Sequence, residues 1–216
     1  MLHQAVLFDL DGTLLDTLED LADSCNRTMA AHGYPTHPID AYRYFVGDGV
    51  TNLIRRALPE SARTESVVRD CIQTYRADYT RNWSNKTRPY AGIPHMLDAL
   101  ASRGVKLAVL SNKPDDFTRL CVAHFLPRWR FDAIQGASEA FAHKPDPAGA
   151  IHIARLIGVE PGSFLYLGDT ATDMQTARAA GMFAVGALWG FRPRAELEQA
   201  GARVIIGRPQ ELLDLL

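Results

Sequence analysis

Two aspartates two residues apart, Asp9 and Asp11, follow the apolar run Ala5-Val6-Leu7-Phe8 and precede Gly12. The run reads as a buried strand, and the glycine breaks it. Side chains at strand ends in an α/β sheet project into the crevice beyond the sheet edge, where ligands bind. Carboxylates gathered there suit a hard divalent cation and a carboxylate that acts as a nucleophile. Three further polar signals end apolar runs or lie on the loops after them. Ser111 follows Leu107-Ala108-Val109-Leu110, Lys144 stands in His143-Lys144-Pro145-Asp146-Pro147, and Asp169 and Asp173 share the stretch from Gly168 to Asp173. Singly, each has a plainer reading. Ser111 would cap a helix, Lys144 would be a solvated surface charge, and the two aspartates would serve a helix N-terminus. On a parallel sheet all four converge at its C-terminal edge.

The positioning elements are legible in outline. Val105–Leu110, Ser163–Leu167, Met182–Gly186 and Arg203–Ile206 are near-continuous apolar runs, as parallel strands covered on both faces require. Helical segments separate them, several ending on a glycine: Gly104, Gly158 and Gly181. This alternation predicts an α/β fold with a Rossmann-like, doubly wound parallel sheet. Residues 16–84 break the rhythm. Leu18, Leu21, Ala22, Cys25 and Met29 recur at helical spacing, and 52–58 and 64–79 also read as helices. The expectation is a core of residues 1–15 and 85–216 carrying an inserted all-helical cap, residues 16–84. The hinges fall at Leu14–Thr17 and Lys86–Gly92.

Composition narrows the function classes. Of 216 residues, 47% are hydrophobic, enough for a core rather than a disordered chain. A formal net charge of −2 disfavours a nucleic-acid surface. No apolar run is long enough to span a bilayer. Met1-Leu2-His3-Gln4 has no basic region, which argues against a signal peptide. Cys25, Cys71 and Cys121 lie far apart without metal-ligand spacing and read as reduced thiols of a cytoplasmic protein.

Taken together and in this order, the four signals resemble the motifs of the haloacid dehalogenase superfamily of phosphohydrolases, from Val6 to the C-terminus. Within it the chain is most similar to the phosphoglycolate phosphatases. Supporting stretches are Phe45-Val46-Gly47-Asp48-Gly49-Val50, Pro89-Tyr90-Ala91-Gly92, Ser111-Asn112-Lys113-Pro114 and Trp189-Gly190-Phe191. The resemblance implies hydrolysis of a small phosphorylated metabolite, most closely 2-phosphoglycolate, with Mg²⁺. The physical demand agrees. Phosphate monoesters need acceleration up to ~10²¹-fold, and two anions must meet, which a divalent cation permits. Asp9 is expected to be the nucleophile and to become an aspartyl-phosphate. Asp11 is the general acid and base, its pKa raised during turnover, and gives its backbone carbonyl to the metal. Gly12 allows the sharp turn, and Thr13 is expected to hydrogen-bond Asp11. The Ser111 hydroxyl and the Asn112 amide donate to phosphoryl oxygens. Lys144 pairs with Asp9 at rest. Asp169 is a direct metal ligand, and Asp173 acts through water or a neighbour.

The insert is expected to act as a lid. Its loop with Arg43, Gly47 and Gly49 resembles the specificity loop of related caps, and Arg43 is a candidate carboxylate anchor. Arg55 and Arg56 read as solvated residues. Other small substrates stay open: a sugar phosphate, an amino-sugar phosphate or pyrophosphate. A sugar-phosphate mutase fits less well, because Leu21, Val46 and Val50 stand where that group carries basic residues. A phosphoacceptor signalling domain would hold its acids on separate strands and lack the insert. A catalytically silent binding protein finds no damaged motif to support it. Both monomer and homodimer are compatible with the sequence.

Overall fold

The computed structural model describes residues 3–216; Met1 and Leu2, and the reading of the amino terminus that rests on them, lie outside the described residues. The described residues form two compact units, one of residues up to 15 with 89–216, the other of residues 16–88.

The first unit is an α/β sandwich. Strand β1 (Ala5–Phe8) runs into the turn that carries Asp9 and Asp11. The short β2 (Leu15–Asp16) leads out to the helices α1 (Leu18–Ala31), α2 (Tyr42–Phe45), α3 (Val50–Ala57) and α4 (Glu65–Asn82), and β3 (Arg88–Pro89) leads back. There follow α5 (Ile93–Ser102), β4 (Lys106–Pro114), α6 (Asp115–Phe125), β5 (Ala133–Ala137), α7 (Ala148–Ile157), β6 (Phe164–Gly168), α8 (Ala171–Ala179), β7 (Phe183–Ala187), α9 (Arg194–Ala200) and β8 (Val204–Ile206). Six strands form one parallel sheet in the order β5-β4-β1-β6-β7-β8. The chain therefore winds outward from β1 in both directions, and the crevice opens where the direction reverses.

Register decides what meets in that crevice. Phe8 lies opposite Val109 of β4 and Leu167 of β6, and the Asp9 amide donates to the Leu167 carbonyl at 2.9 Å. Asp9 and the Gly168-Asp169 corner thus leave the sheet side by side. All four residues of β1 are fully buried, as expected of a central parallel strand covered on both faces. One such cover packs Ala5, Leu7 and Ala184 with Ile153 of α7 and Met174 and Ala177 of α8.

The strands differ from the sequence expectation at their ends. β4 continues to Pro114, carrying Ser111, Asn112 and Lys113 on the strand itself. β5 is absent from the sequence reading, because Ala-Ile-Gln-Gly-Ala has no apolar run or alternation to reveal it.

The second unit is helical, with α1 packed on α4. It extends to Arg88 rather than ending at residue 84. The reason is Asp20 of α1, which is buried and accepts hydrogen bonds from the amides of Lys86 and Thr87 and from the Thr87 hydroxyl at 2.8–3.1 Å. Those bonds fix the exit segment to the insert's first helix.

Candidate active site

The β1 turn closes tightly. The Gly12 amide donates to the Leu15 carbonyl at 2.8 Å, and Gly12 adopts φ +87°, a conformation that a Cβ disfavours. Space forbids a side chain there as well: a Cβ on Gly12 would collide with the Asp169 carboxylate and lie 2.8 Å from Phe191. Gly190 meets Asp169 from another side, and a Cβ there would strike the same aspartate. The two glycines make room for a carboxylate that is wholly buried.

Asp169 is held by donors at both oxygens. The Thr13 hydroxyl donates to Oδ1 at 3.0 Å, and the Phe191 amide donates to Oδ2 at 2.8 Å. This corrects the expectation that Thr13 would hydrogen-bond Asp11. The β1 turn brings its hydroxyl to β6 instead, and the Trp189 indole donates to the Thr13 carbonyl at 2.9 Å. The Trp189–Phe191 segment therefore shapes the site, a role that an aromatic-glycine-aromatic string does not announce.

Lys144 is the hub. Its Nζ lies 2.8 Å from Asp9 Oδ1 and 2.7 Å from Asp173 Oδ1, and donates to the Leu110 carbonyl at 3.1 Å. The resting pair of Lys144 with Asp9 is as expected. The loop that carries the lysine is docked by Asn112, whose side chain accepts from the Lys144 amide at 2.9 Å and donates to its carbonyl at 3.1 Å. That positioning role of the Asn112 side chain is not visible in sequence. Asp173, on the first turn of α8, also accepts from the Thr170 amide and hydroxyl in a capping box. Both its oxygens are engaged, so it orients Lys144 and the helix start together.

Asp9, Asp169 and Asp173 each offer an oxygen within 4.8 Å of the others. The Asp11 side chain stands outside this group, its two oxygens 3.1 and 3.2 Å from Lys113 Nζ. The Asp11 side chain is turned to a lysine, which leaves the backbone carbonyl as the oxygen that the sequence reading assigns it toward a metal. Ser111 is buried, and its hydroxyl oxygen accepts from the Lys113 amide at 3.2 Å.

Charge in this pocket is costly. Burial pushes the Asp9 carboxyl up to about 7, with Asp173 adding to the rise and Lys144 opposing it. Burial, then Asp173 and Asp9, raises Asp169 well above the ordinary range. Burial works against the Lys144 charge, but Asp173 and Asp9 outweigh it and hold the ammonium protonated far above its usual range. With all three carboxylates ionised, the one ammonium would leave two negative charges unbalanced. A hard divalent cation matches that surplus and that all-oxygen donor set.

Arg43, Gly47 and Gly49 belong to the helical unit. Gly47 and Gly49 take φ +110° and +84°, and Arg43 lies 3.5 Å from Asp40. Arg56 clamps the loop between them by donating to the Tyr44 and Phe45 carbonyls at 3.3 and 3.1 Å and pairing with Asp48. Arg55 pairs with Glu65.

The chain matches the family model of haloacid dehalogenase-like hydrolases over residues 6–187. It is 32% identical over 213 residues to the phosphoglycolate phosphatase of Aquifex aeolicus, covering 99% of this chain and 96% of that protein. It is 31% identical over 220 residues to the phosphoglycolate phosphatase of Pseudomonas putida, covering 98% and 79%. Among solved structures, a protein from Lactobacillus delbrueckii assigned as a phosphoglycolate phosphatase has a TM-score of 0.93 at 29% identity, covering 100% of this chain and 98% of that one.

Proposed function

This chain belongs to the haloacid dehalogenase-like hydrolase family, and on that premise we propose that it is a Mg²⁺-dependent phosphatase that works through an aspartyl-phosphate on Asp9. The carrying observation is the buried Lys144 bridging Asp9 and Asp173 beside Asp169, three carboxylates gathered around one ammonium. Asp9 and Asp169 would hold Mg²⁺, with the Asp11 carbonyl as a further oxygen and Asp173 acting through its neighbours. When bound, the ion supplies the charge that lets a carboxylate approach a phosphate dianion.

The chain's own residues carry the steps. An Asp9 carboxylate oxygen attacks phosphorus, and the bond to the ester oxygen breaks. Asp11 gives its proton to the departing oxygen, then takes one from the water that cleaves the acyl phosphate. Lys144 steadies charge on the phosphoryl oxygens as Asp9 gives up its own. The Ser111 hydroxyl and the Asn112 amide donate to the same oxygens. Gly12 and Thr13 keep the loop against Asp169.

The substrate is a small phosphorylated acid, 2-phosphoglycolate before others, by analogy with the relatives named for that activity. The helical unit serves as a cap whose Arg43–Gly49 loop reads the leaving group. No described helix is long and apolar enough to cross a membrane. Three buried cysteines without disulfide partners suit a reducing compartment, the cytoplasm.

The test is sustained phosphate release from 2-phosphoglycolate with Mg²⁺. Asp9→Asn removes the nucleophile and should lower kcat by roughly 10⁴-fold or more, as loss of a covalent nucleophile does. A variant retaining more than about a tenth of wild-type turnover would show that phosphorus is not transferred to Asp9.

A further inference from the structure

We propose that Lys113 is a positioning residue that fixes the Asp11 side chain, which delivers the proton to the leaving oxygen when protonated and takes one from water as the carboxylate, an inference that rests on the phosphatase reading above. The ammonium grips both Asp11 oxygens, at 3.1 and 3.2 Å. The lysine side chain is 4% exposed, against 17% for Asp11. Lysine is rarely buried without a carboxylate to meet it. Here the buried partner is the cation, and the carboxylate it holds sits nearer solvent.

Lys113 is itself well anchored. Its amide donates to Ser111 Oγ at 3.2 Å, and its carbonyl accepts from Thr118 Oγ1 of α6 at 3.1 Å. Gly136 of β5 passes so near that a Cβ there would come 2.7 Å from the same carbonyl. Three elements therefore fix the base of this side chain. Asp11, by contrast, sits on the turn after β1, and its carboxylate stands apart from the Asp9, Asp169 and Asp173 oxygens. A two-oxygen hold from a rigid strand restricts the rotation of a side chain whose placement decides proton transfer. Catalytic geometry tolerates little error, since a displacement of about 1 Å can cost a hundredfold in rate.

A purely structural ion pair and a positioning one predict different kinetics. Departure of an alkoxide requires a proton from Asp11, whereas p-nitrophenolate departs without one. The experiment compares kcat/KM of the wild type, Lys113→Met and Lys113→Arg on 2-phosphoglycolate and p-nitrophenyl phosphate. In Lys113→Met the ratio of the alkyl to the aryl value should fall at least about tenfold, the low side of what general acid catalysis supplies. Lys113→Arg, which can still hold both oxygens, should recover part of that ratio. Lys113→Gln gives the same comparison should the methionine variant not fold. An equal loss on both esters, or an unchanged ratio, overturns the inference. Wild-type inactivity on both esters would overturn the phosphatase reading, and this inference with it.

Discussion

Asp9 shows how one residue can be costly to the fold and necessary to the chemistry. An aspartate in the unfolded chain titrates near ~4, and burial moves folded Asp9 to about 7. Between those values the folded chain holds the extra proton, so stability falls as pH rises through the interval, and the penalty is complete above about 7. The melting temperature of metal-free protein in EDTA should therefore drop as pH rises across that window. Asp9→Asn, which cannot ionise, should show a shallower decline in the same melts. A wild-type slope no steeper than the variant's would contradict this account. The division of labour within Asp9-x-Asp11 is also decided at this scale. One carboxylate turns toward Lys144 and the other toward Lys113, and the spacing of two residues does not say which partner each finds.

At the scale of elements, the site depends on connections more than on the strands. Asn112 docks the Lys144 loop onto β4, and the Thr170–Asp173 capping box starts α8 beneath the same lysine. In the helical unit, Asp20 plays the matching part by tying α1 to the exit segment. Asp20→Ala would leave two backbone amides and the Thr87 hydroxyl without their acceptor. The expected cost is roughly 2–3 kcal/mol, because buried donors lose their partner without regaining water. Urea denaturation would measure it, and a loss below about 0.5 kcal/mol would mean that solvent replaces the carboxylate freely. β5 and the 189–191 segment belong to this scale too. β5 became visible only once β4 was in place to receive it, and the 189–191 string, legible as a motif, shows its bonds to Thr13 and Asp169 only in the fold.

At the scale of the whole molecule, the two units divide the chemistry unequally. Asp9, Asp169, Asp173 and Lys144 all belong to the α/β unit. Mg²⁺ at a hundred times its dissociation constant would stabilise that unit by ~2.7 kcal/mol. Hydrogen exchange should then slow at the ends of β1 and β6 and at the start of α8, with residues 18–86 little changed. Protection spread evenly over both units would place the cation elsewhere. Much of this organisation is written locally. Apolar strand runs, the break in rhythm after Thr17 and the four polar signals are statements about neighbouring residues, and neighbouring residues suffice to read strand ends and helical spacing. The hydrogen bond from Thr13 to Asp169, the grip of Lys113 on Asp11 and the docking of Lys144 by Asn112 are of another kind. They join residues 32 to 156 positions apart, and only the order and register of a folded sheet bring such atoms within bonding distance.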